Sequence, residues 1–201
     1  DDVAVLLGKG DGGCAPAASF PAGNDPSALG GGYYTRDRVP DLAVATRFPG
    51  GVSLLMGNGD GTFRPGDRIK AERDYLGVAV PYEVPAVAVA DVDSDGLEDL
   101  VVALFTGTYE GDNLLVFLGQ GDGTFRPGTP THANDSPFSV GVGDFNSDGA
   151  ADLAAANFVS DDVSILLGRG DGTFASAQNV RAGTTPVEIA IADIDADGAA
   201  D

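Results

Sequence analysis

Short apolar bursts recur along this chain, bounded each time by Gly, Pro and Asp clusters, and they fall into repeating types. One type follows a Pro and alternates, as PAVAVA at 85–90 and PVEIAIA at 186–192, with small residues on one face that suit a crowded inner position. A second begins on an Asp: DLAVA at 41–45, DLVVA at 99–103 and DLAAA at 152–156. A third is continuously apolar: VAVLL at 3–7, VSLLM at 52–56, LLVFL at 114–118 and VSILL at 163–167. A fourth segment, the most polar, follows a Gly-Asp-Gly turn, as expected for an outer edge strand. The short apolar runs LVVA at 100–103 and LAAA at 153–156 carry no helix cap and read better as strands. The pattern therefore predicts units of four antiparallel strands, A to D, repeated along an all-β chain.

The turn between A and B carries the chemistry. Three nine-residue stretches share one design: Asp91 to Asp99 (DVDSDGLED), Asp144 to Asp152 (DFNSDGAAD) and Asp193 to Asp201 (DIDADGAAD). A hard divalent cation takes about six to eight oxygens at about 2.3–2.6 Å, and carboxylates at alternate positions of a Gly-closed turn supply them. The expected ligands are side-chain oxygens at positions one, three, five and nine and the carbonyl at position seven. That assigns Asp91, Asp93, Asp95, Leu97 and Asp99 to the first site. Asp144, Asn146, Asp148, Ala150 and Asp152 form the second, and Asp193, Asp195, Asp197, Ala199 and Asp201 the third. A helical calcium hand would place a bidentate acid at position twelve, where this chain has Val102 and Ala155. Asp-Gly alone marks an ordinary hairpin turn. A turn needs one Asp, however, and each loop here has three or four candidate acidic or amide ligands. About three Ca2+ ions are expected.

A second motif, G-x-G-D-G-T-F, ends at Phe63, Phe125 and Phe174, with a degenerate copy ending at Cys14. From that last position to the next acidic loop is 19 residues in three cases, and from a loop's last Asp to the next Phe is 22 in two. The resulting period of about 49 residues, with four short strands per copy, marks a propeller blade or related β array.

The two motifs together resemble FG-GAP/VCBS-type repeats, the blades of integrin-α-like β-propellers and of many secreted bacterial proteins, and the resemblance covers nearly the whole chain. It implies a calcium-stabilised propeller with the calcium loops on one face and ligand contacts on the other. No single activity follows, because such propellers serve adhesion, carbohydrate binding and attachment to enzymes. The expected organisation is one repeat domain over 1–201: a partial unit at 1–23, blades at about 24–70, 71–135 and 136–183, and a partial unit at 184–201. We read it as part of a larger propeller, in which open blade edges would allow self-association.

One loop departs from the pattern. In the stretch from Tyr33 to Asp41, position one has lost its acid and Arg38 replaces Gly, so no calcium is expected there. Arg38 or Arg36 would then stand in for the ion, paired to Asp37 and Asp41, unless these arginines are simply solvated.

Composition narrows the function further. With 31 acids against 11 bases the formal charge is −20, and 12 of the acids lie in the three intact loops. Nucleic acid needs a basic stripe and is not expected as a partner. No apolar run approaches the roughly 20 residues of a membrane span, so no membrane insertion is expected. A single Cys excludes an internal disulfide and leaves the compartment open. Loops of this openness should bind calcium at about 10⁻⁴–10⁻³ M, the range of extracellular modules. That points to an extracellular, cell-surface or periplasmic location. His132 is the one side chain of a type suited to act as a base near neutrality, and although Ser136 or Asp135 stands near it in sequence, no catalytic constellation is legible and no enzyme is expected.

Two insertions break the period, nine extra residues between Phe63 and Asp91 and four between Asp99 and Phe125. Both fall on connections of the face opposite the calcium loops. They nominate Arg68, Lys70, Arg73, Tyr75, Tyr82 and Tyr109 as ligand contacts, because binding residues concentrate on loops held by a rigid scaffold. Ordinary indel tolerance is the plain alternative. The expected function is non-catalytic recognition of a protein or glycan. The alternatives are a lectin with sugar held between blades, and a structural spacer beside a catalytic domain outside this chain.

Overall fold

The computed structural model describes residues 1–75, 78–105, 113–196 and 198–201, with backbone alone for 72–75 and 78–81. Its described residues form antiparallel sheets and no helix. The chain opens on a hairpin, β1 (Asp2–Val5) with β2 (Ala18–Pro21). The first four-stranded sheet then runs in sequence order: β3 (Pro26–Gly32), β4 (Asp41–Thr46), β5 (Gly51–Gly57) and β6 (Phe63–Lys70). A small hairpin, β7 (Glu72–Tyr75) with β8 (Val78–Pro81), occupies the longer insertion. The second sheet is β9 (Glu83–Ala90), β10 (Asp99–Phe105), β11 (Leu114–Gly119) and β12 (Phe125–Pro127). The third is β13 (Pro137–Gly143), β14 (Asp152–Asn157), β15 (Asp162–Leu166) and β16 (Gln178–Arg181). These are three four-stranded blades of a partial β-propeller, and they do not close into a ring.

The second strand of each blade is buried on both faces, which explains why its sequence is apolar throughout and not alternating. In β4, Leu42 and Val44 turn toward Val3, Phe20 and Ala22 of the N-terminal unit. Ala43 and Ala45 turn the other way and share a core with Leu100, Val102 and Leu104 of β10. The opposite face of β10, Val101 and Ala103, packs with Leu153 and Ala155 of β14. The cores thus lie between blades, not within them. Inner strands β3, β9 and β13 adjoin in turn, and the fourth strands are polar and exposed.

The segment 186–192 departs from expectation. It does not form a strand, although Ile189 and Ile191 lie over Gly141 and Gly143 of β13, where a next inner strand would pack. The physical reason is local: no described strand pairs with it, so its backbone lacks the ladder that defines a strand.

The motif Phe residues close the joints between blades. Phe63 meets Phe20 edge-on at 5.4 Å between ring centroids, and Phe125 meets Tyr34 in the same way at 5.4 Å. Phe174 shares a core with Val92. Tyr34 and Val92 hold position two of their loops, and both are buried under the next blade's Phe. Ile194, the same position of the last loop, is 81% exposed.

Candidate metal centre

Each intact loop turns twice through the left-handed region. Ser94 and Gly96 have φ of 60° and 84°, Ser147 and Gly149 have 58° and 86°, and Ala196 and Gly198 have 62° and 94°. Glycine at position six takes this without strain, whereas the residue at position four does so at a cost of about 1–2 kcal/mol. The paired reversals fold the loop back onto its own first residue. Asp91 Oδ1 accepts the Asp95 N–H at 3.2 Å and Oδ2 the Gly96 N–H at 2.9 Å. Asp144 accepts the Asp148 and Gly149 N–H groups at 3.1 and 2.9 Å. Asp193 accepts the Gly198 N–H at 3.0 Å.

In the first loop, Asp91, Asp93 and Asp99 each present an oxygen within 4.8 Å of the others. Burial of Asp93, with Asp95 and Asp91 beside it, raises its carboxyl above the usual range. Asp99 is pushed up to about 6 by burial, against the backbone N–H groups that favour its charge, with Asp93 and Asp91 adding repulsion. One Asp93 oxygen faces Arg126 at 3.7 Å. The other, Oδ1, is buried with no hydrogen-bond partner. A buried carboxylate oxygen left unsatisfied among two further acids is costly. A cation held there would satisfy it, so the residues present fit a hard divalent ion.

The other loops differ. Asp193, Asp195 and Asp201 also converge within 4.8 Å but are exposed. Asp197 lies outside the described residues. In the second loop the Asn146 side chain donates to Asp148 at 2.9 Å and accepts the Asp148 N–H at 2.9 Å, so its amide closes the turn. Leu97 and Ala150 each donate a backbone N–H to the position-five Asp at 2.8 Å.

Position nine has a second role that the ligand spacing did not reveal. Asp99 Oδ2 accepts the Val92 N–H and Oδ1 the Gly119 N–H, both at 2.8 Å. Asp152 takes Phe145 N–H at 2.9 Å and Gly168 N–H at 2.7 Å. In the degenerate loop Asp41 takes Tyr34 N–H at 3.0 Å and Gly57 N–H at 2.8 Å. The ninth Asp is thus a staple between the acidic loop and the first Gly of the G-x-G-D-G-T-F turn. That Gly has no room for a side chain: a Cβ on Gly57, Gly119 or Gly168 would strike the carbonyl of Pro40, Glu98 or Ala151. The signal was present in the sequence, since the degenerate loop keeps Asp41 while losing the acid at position one.

The Asp inside the G-D-G-T turn is accounted for without a ligand. Asp60, Asp122 and Asp171 each accept both the N–H and the hydroxyl of the Thr two residues on. Those bonds hold their carboxyls below the usual range.

The degenerate loop corrects one expectation. No ion pair among the described residues joins Arg36 or Arg38 to Asp37 or Asp41. Asp41 is held by backbone N–H groups, and the arginine that acts on Asp37 is Arg64, after Thr35 and the Val39 N–H. Arg38 keeps the left-handed turn of the lost Gly, at φ 62°.

The candidate ligand contacts scatter. Arg68 donates to Thr46 Oγ1 at 3.2 Å and to the Pro49 carbonyl, tying β6 to the turn after β4. Tyr82 packs on the core between the first two blades. Lys70 joins Arg68, Phe117 and Phe125 along an inter-blade groove of about 360 Å³. The side chains of Arg73 and Tyr75, and Tyr109 with the insertion at 106–112, lie outside the described residues. His132 lines a second inter-blade groove of about 440 Å³ with Asn134, Phe174 and Asn179. Ser136 is fully buried and its Oγ has no hydrogen-bond partner, so it is not activated by His132. An aromatic group that sequence reasoning missed lies on the face opposite the loops. Phe105, Phe138 and Phe158 meet at 5.7–6.2 Å, with Arg47 over the Phe138 ring at 5.9 Å. Its signal was the shared register of Arg47, Phe105 and Phe158, each six residues after the Asp that opens the second strand.

A family model described as FG-GAP-like repeat matches residues 33–102, 91–155 and 144–201. No curated protein matches the chain. No helix among the described residues is long and apolar enough to cross a membrane.

Proposed function

Because the chain belongs to the FG-GAP-like repeat family, we propose that it is a calcium-binding β-propeller module for recognition outside the cytoplasm, without catalysis of its own. The observation that carries this reading is the orphaned Asp93 Oδ1 within the Asp91, Asp93 and Asp99 group. Loop 91–99 is the best-supported site. The loops at 144–152 and 193–201 repeat its left-handed turns and would hold a second and a third ion. The carbonyls of Leu97, Ala150 and Ala199 would complete the three shells. Calcium supplies the positive charge that lets three carboxylates stay ionised at one place, and the chain's own bonds pre-position them. Linkage makes each site worth about 2.7 kcal/mol of stability at a hundredfold excess over its dissociation constant.

Recognition would fall on the face opposite the loops, where the phenylalanine group lies and where the repeat period puts the insertions. The partner is an extracellular protein or glycan, and adhesion is the role such contacts serve. A lectin reading has its own support in the two inter-blade grooves, lined by Asn134, Asn179 and His132 in one and Arg68 and Lys70 in the other. Calorimetric titration with calcium, paired with melting scans in calcium and in chelator, tests the main reading. Saturable binding with a raised melting temperature is expected, and identical melts in both conditions would remove calcium from the function.

A further inference from the structure

Where its neighbours have an acidic cage, the degenerate loop presents two arginines to an open cleft. The cleft has a volume of about 650 Å³ and lies between this loop and the outer edge of the next one, 95–97. Its polar lining comes from Tyr33, Thr35, Arg36 and Arg38 on one side and from the single carboxylate Asp95 on the other. Tyr33 lines the cleft and is 52% exposed. The Thr35 hydroxyl lies near enough to Asp37 to hold that carboxyl low, yet its Oγ1 is buried without hydrogen-bond geometry to any group. Arg36 is partly committed, because it crosses Gly121 and adds to the field that holds Asp122 low, after the Thr124 hydroxyl and N–H. Arg38 is not: no ion pair among the described residues involves it.

Arg38 also sits where the repeat calls for Gly, at φ 62°. That backbone costs any L-residue and costs glycine nothing. Strain held at an exposed position, with a fixed charge aimed into a cleft, is an observation from which a binding role follows more directly than a folding one. A guanidinium is built for a carboxylate, which it grips with two parallel N–H bonds. An exposed phenol ring suits the flat apolar face of a sugar, while its hydroxyl suits a sugar hydroxyl. An acidic peptide fits less well, since its side chains bring a carboxylate for Arg38 but no ring face for Tyr33 and no hydroxyls.

We propose that the cleft between loops 33–41 and 91–99 binds a hexuronate residue of an acidic polysaccharide, with Arg38 on the carboxylate and Tyr33 against the ring. The site lies on the loop face, apart from the recognition surfaces above; Asp95 across the cleft is also a candidate calcium ligand, so calcium in loop 91–99 should strengthen the binding by neutralising that carboxylate, while Arg38 and Tyr33 supply the contacts with or without it.

The test is an NMR titration of the full chain with methyl glucuronide, its neutral counterpart methyl glucoside, acetate and a hexaglutamate peptide, each in calcium and in chelator. Methyl glucuronide is expected to bind at least tenfold more tightly than either methyl glucoside or acetate, shifting the Tyr33 ring resonances. Arg38→Gly is the decisive variant, because glycine suits φ 62° and the protein should melt no lower than the parent. It should lose at least tenfold in glucuronide affinity. Undiminished affinity in Arg38→Gly, no binding by the parent, or equal binding of acetate or hexaglutamate would each overturn the proposal. Melts in calcium and chelator report on the calcium reading independently, so the two can fail separately.

Discussion

Replacing Asp41 by Ala isolates the staple from any metal, because its loop lacks the acid at position one. Asp41 is almost wholly buried, and its two oxygens satisfy the N–H groups of Tyr34 and Gly57 at 3.0 and 2.8 Å. Truncation leaves two donors without partners, at about 1–3 kcal/mol each. Part of that is offset, because burial already disfavours the charged carboxylate and raises its pKa. The expected net loss is about 2–4 kcal/mol. Asp41→Asn should cost about half as much, since its amide oxygen serves one N–H while its NH2 group faces the other. Urea unfolding followed by circular dichroism, in calcium and in chelator, measures both. The losses should be the same in the two conditions, and Asp37→Ala on the exposed side of the loop should change little. If Asp41→Ala unfolds within about 0.5 kcal/mol of the parent, the usual scatter of surface substitutions, the staple is not structural.

Asp93→Asn removes the orphaned oxygen's charge, so it should weaken calcium binding at loop 91–99 at least tenfold in calorimetry while leaving the chelator melt unchanged or raised. Asp99 gives a pH signature of definite sign. Burial pushes its pKa up to about 6, above the usual carboxylate range, so the native state holds the proton more tightly and the cost of its charge is present above pH 6. In chelator, stability should therefore rise as pH falls from 7 to 5. In calcium, the same protonation competes with the ion, and the calcium-induced melting shift should shrink through pH 6. Melting scans at both conditions across that range check the two trends together. Gly119→Ala would drive a Cβ into the Glu98 carbonyl, which should destabilise by about 1–3 kcal/mol or more in urea unfolding, with or without calcium.

Much of the fold was legible because one physical signal was repeated. Asp followed by a short apolar run marked every second strand, and β4, β10 and β14 begin on Asp41, Asp99 and Asp152. The four-strand order follows from the period. What the chain could not announce was the joint between blades. Arg68 looked like a surface charge in a basic patch, but its reach to Thr46 and Pro49 depends on how β6 curls back over the turn after β4. The phenylalanine group escaped notice for a related reason: Phe105, Phe138 and Phe158 come from two blades and meet only when inner strands converge. Residues 186–192 read as a strand from their alternation, yet alternation specifies a face and not a partner.

The two sequence motifs prove to be halves of one device, and that changes which positions are diagnostic of metal. The first Gly of G-x-G-D-G-T-F donates its N–H to the ninth Asp of the acidic loop, and it must be Gly because the residue before that Asp presses its carbonyl against it. The ninth Asp is therefore required by the blade whether or not a cation is present, and a carboxylate oxygen that accepts one N–H still has a lone pair for an ion. The side chains at positions one and three hydrogen-bond only within their own loop, as Asp91 does to the Asp95 and Gly96 N–H groups, and staple it to no other strand. Asp91 and Asp93 sit among mutually repelling acids, with one oxygen of Asp93 left unsatisfied, which only a ligand repays. Where that ligand is given up, as at Tyr33 and Thr35, both acids are gone while Asp41 remains. On the calcium reading, the acid at position one, not the one at position nine, is thus the residue that would separate a metal loop from a turn in this repeat.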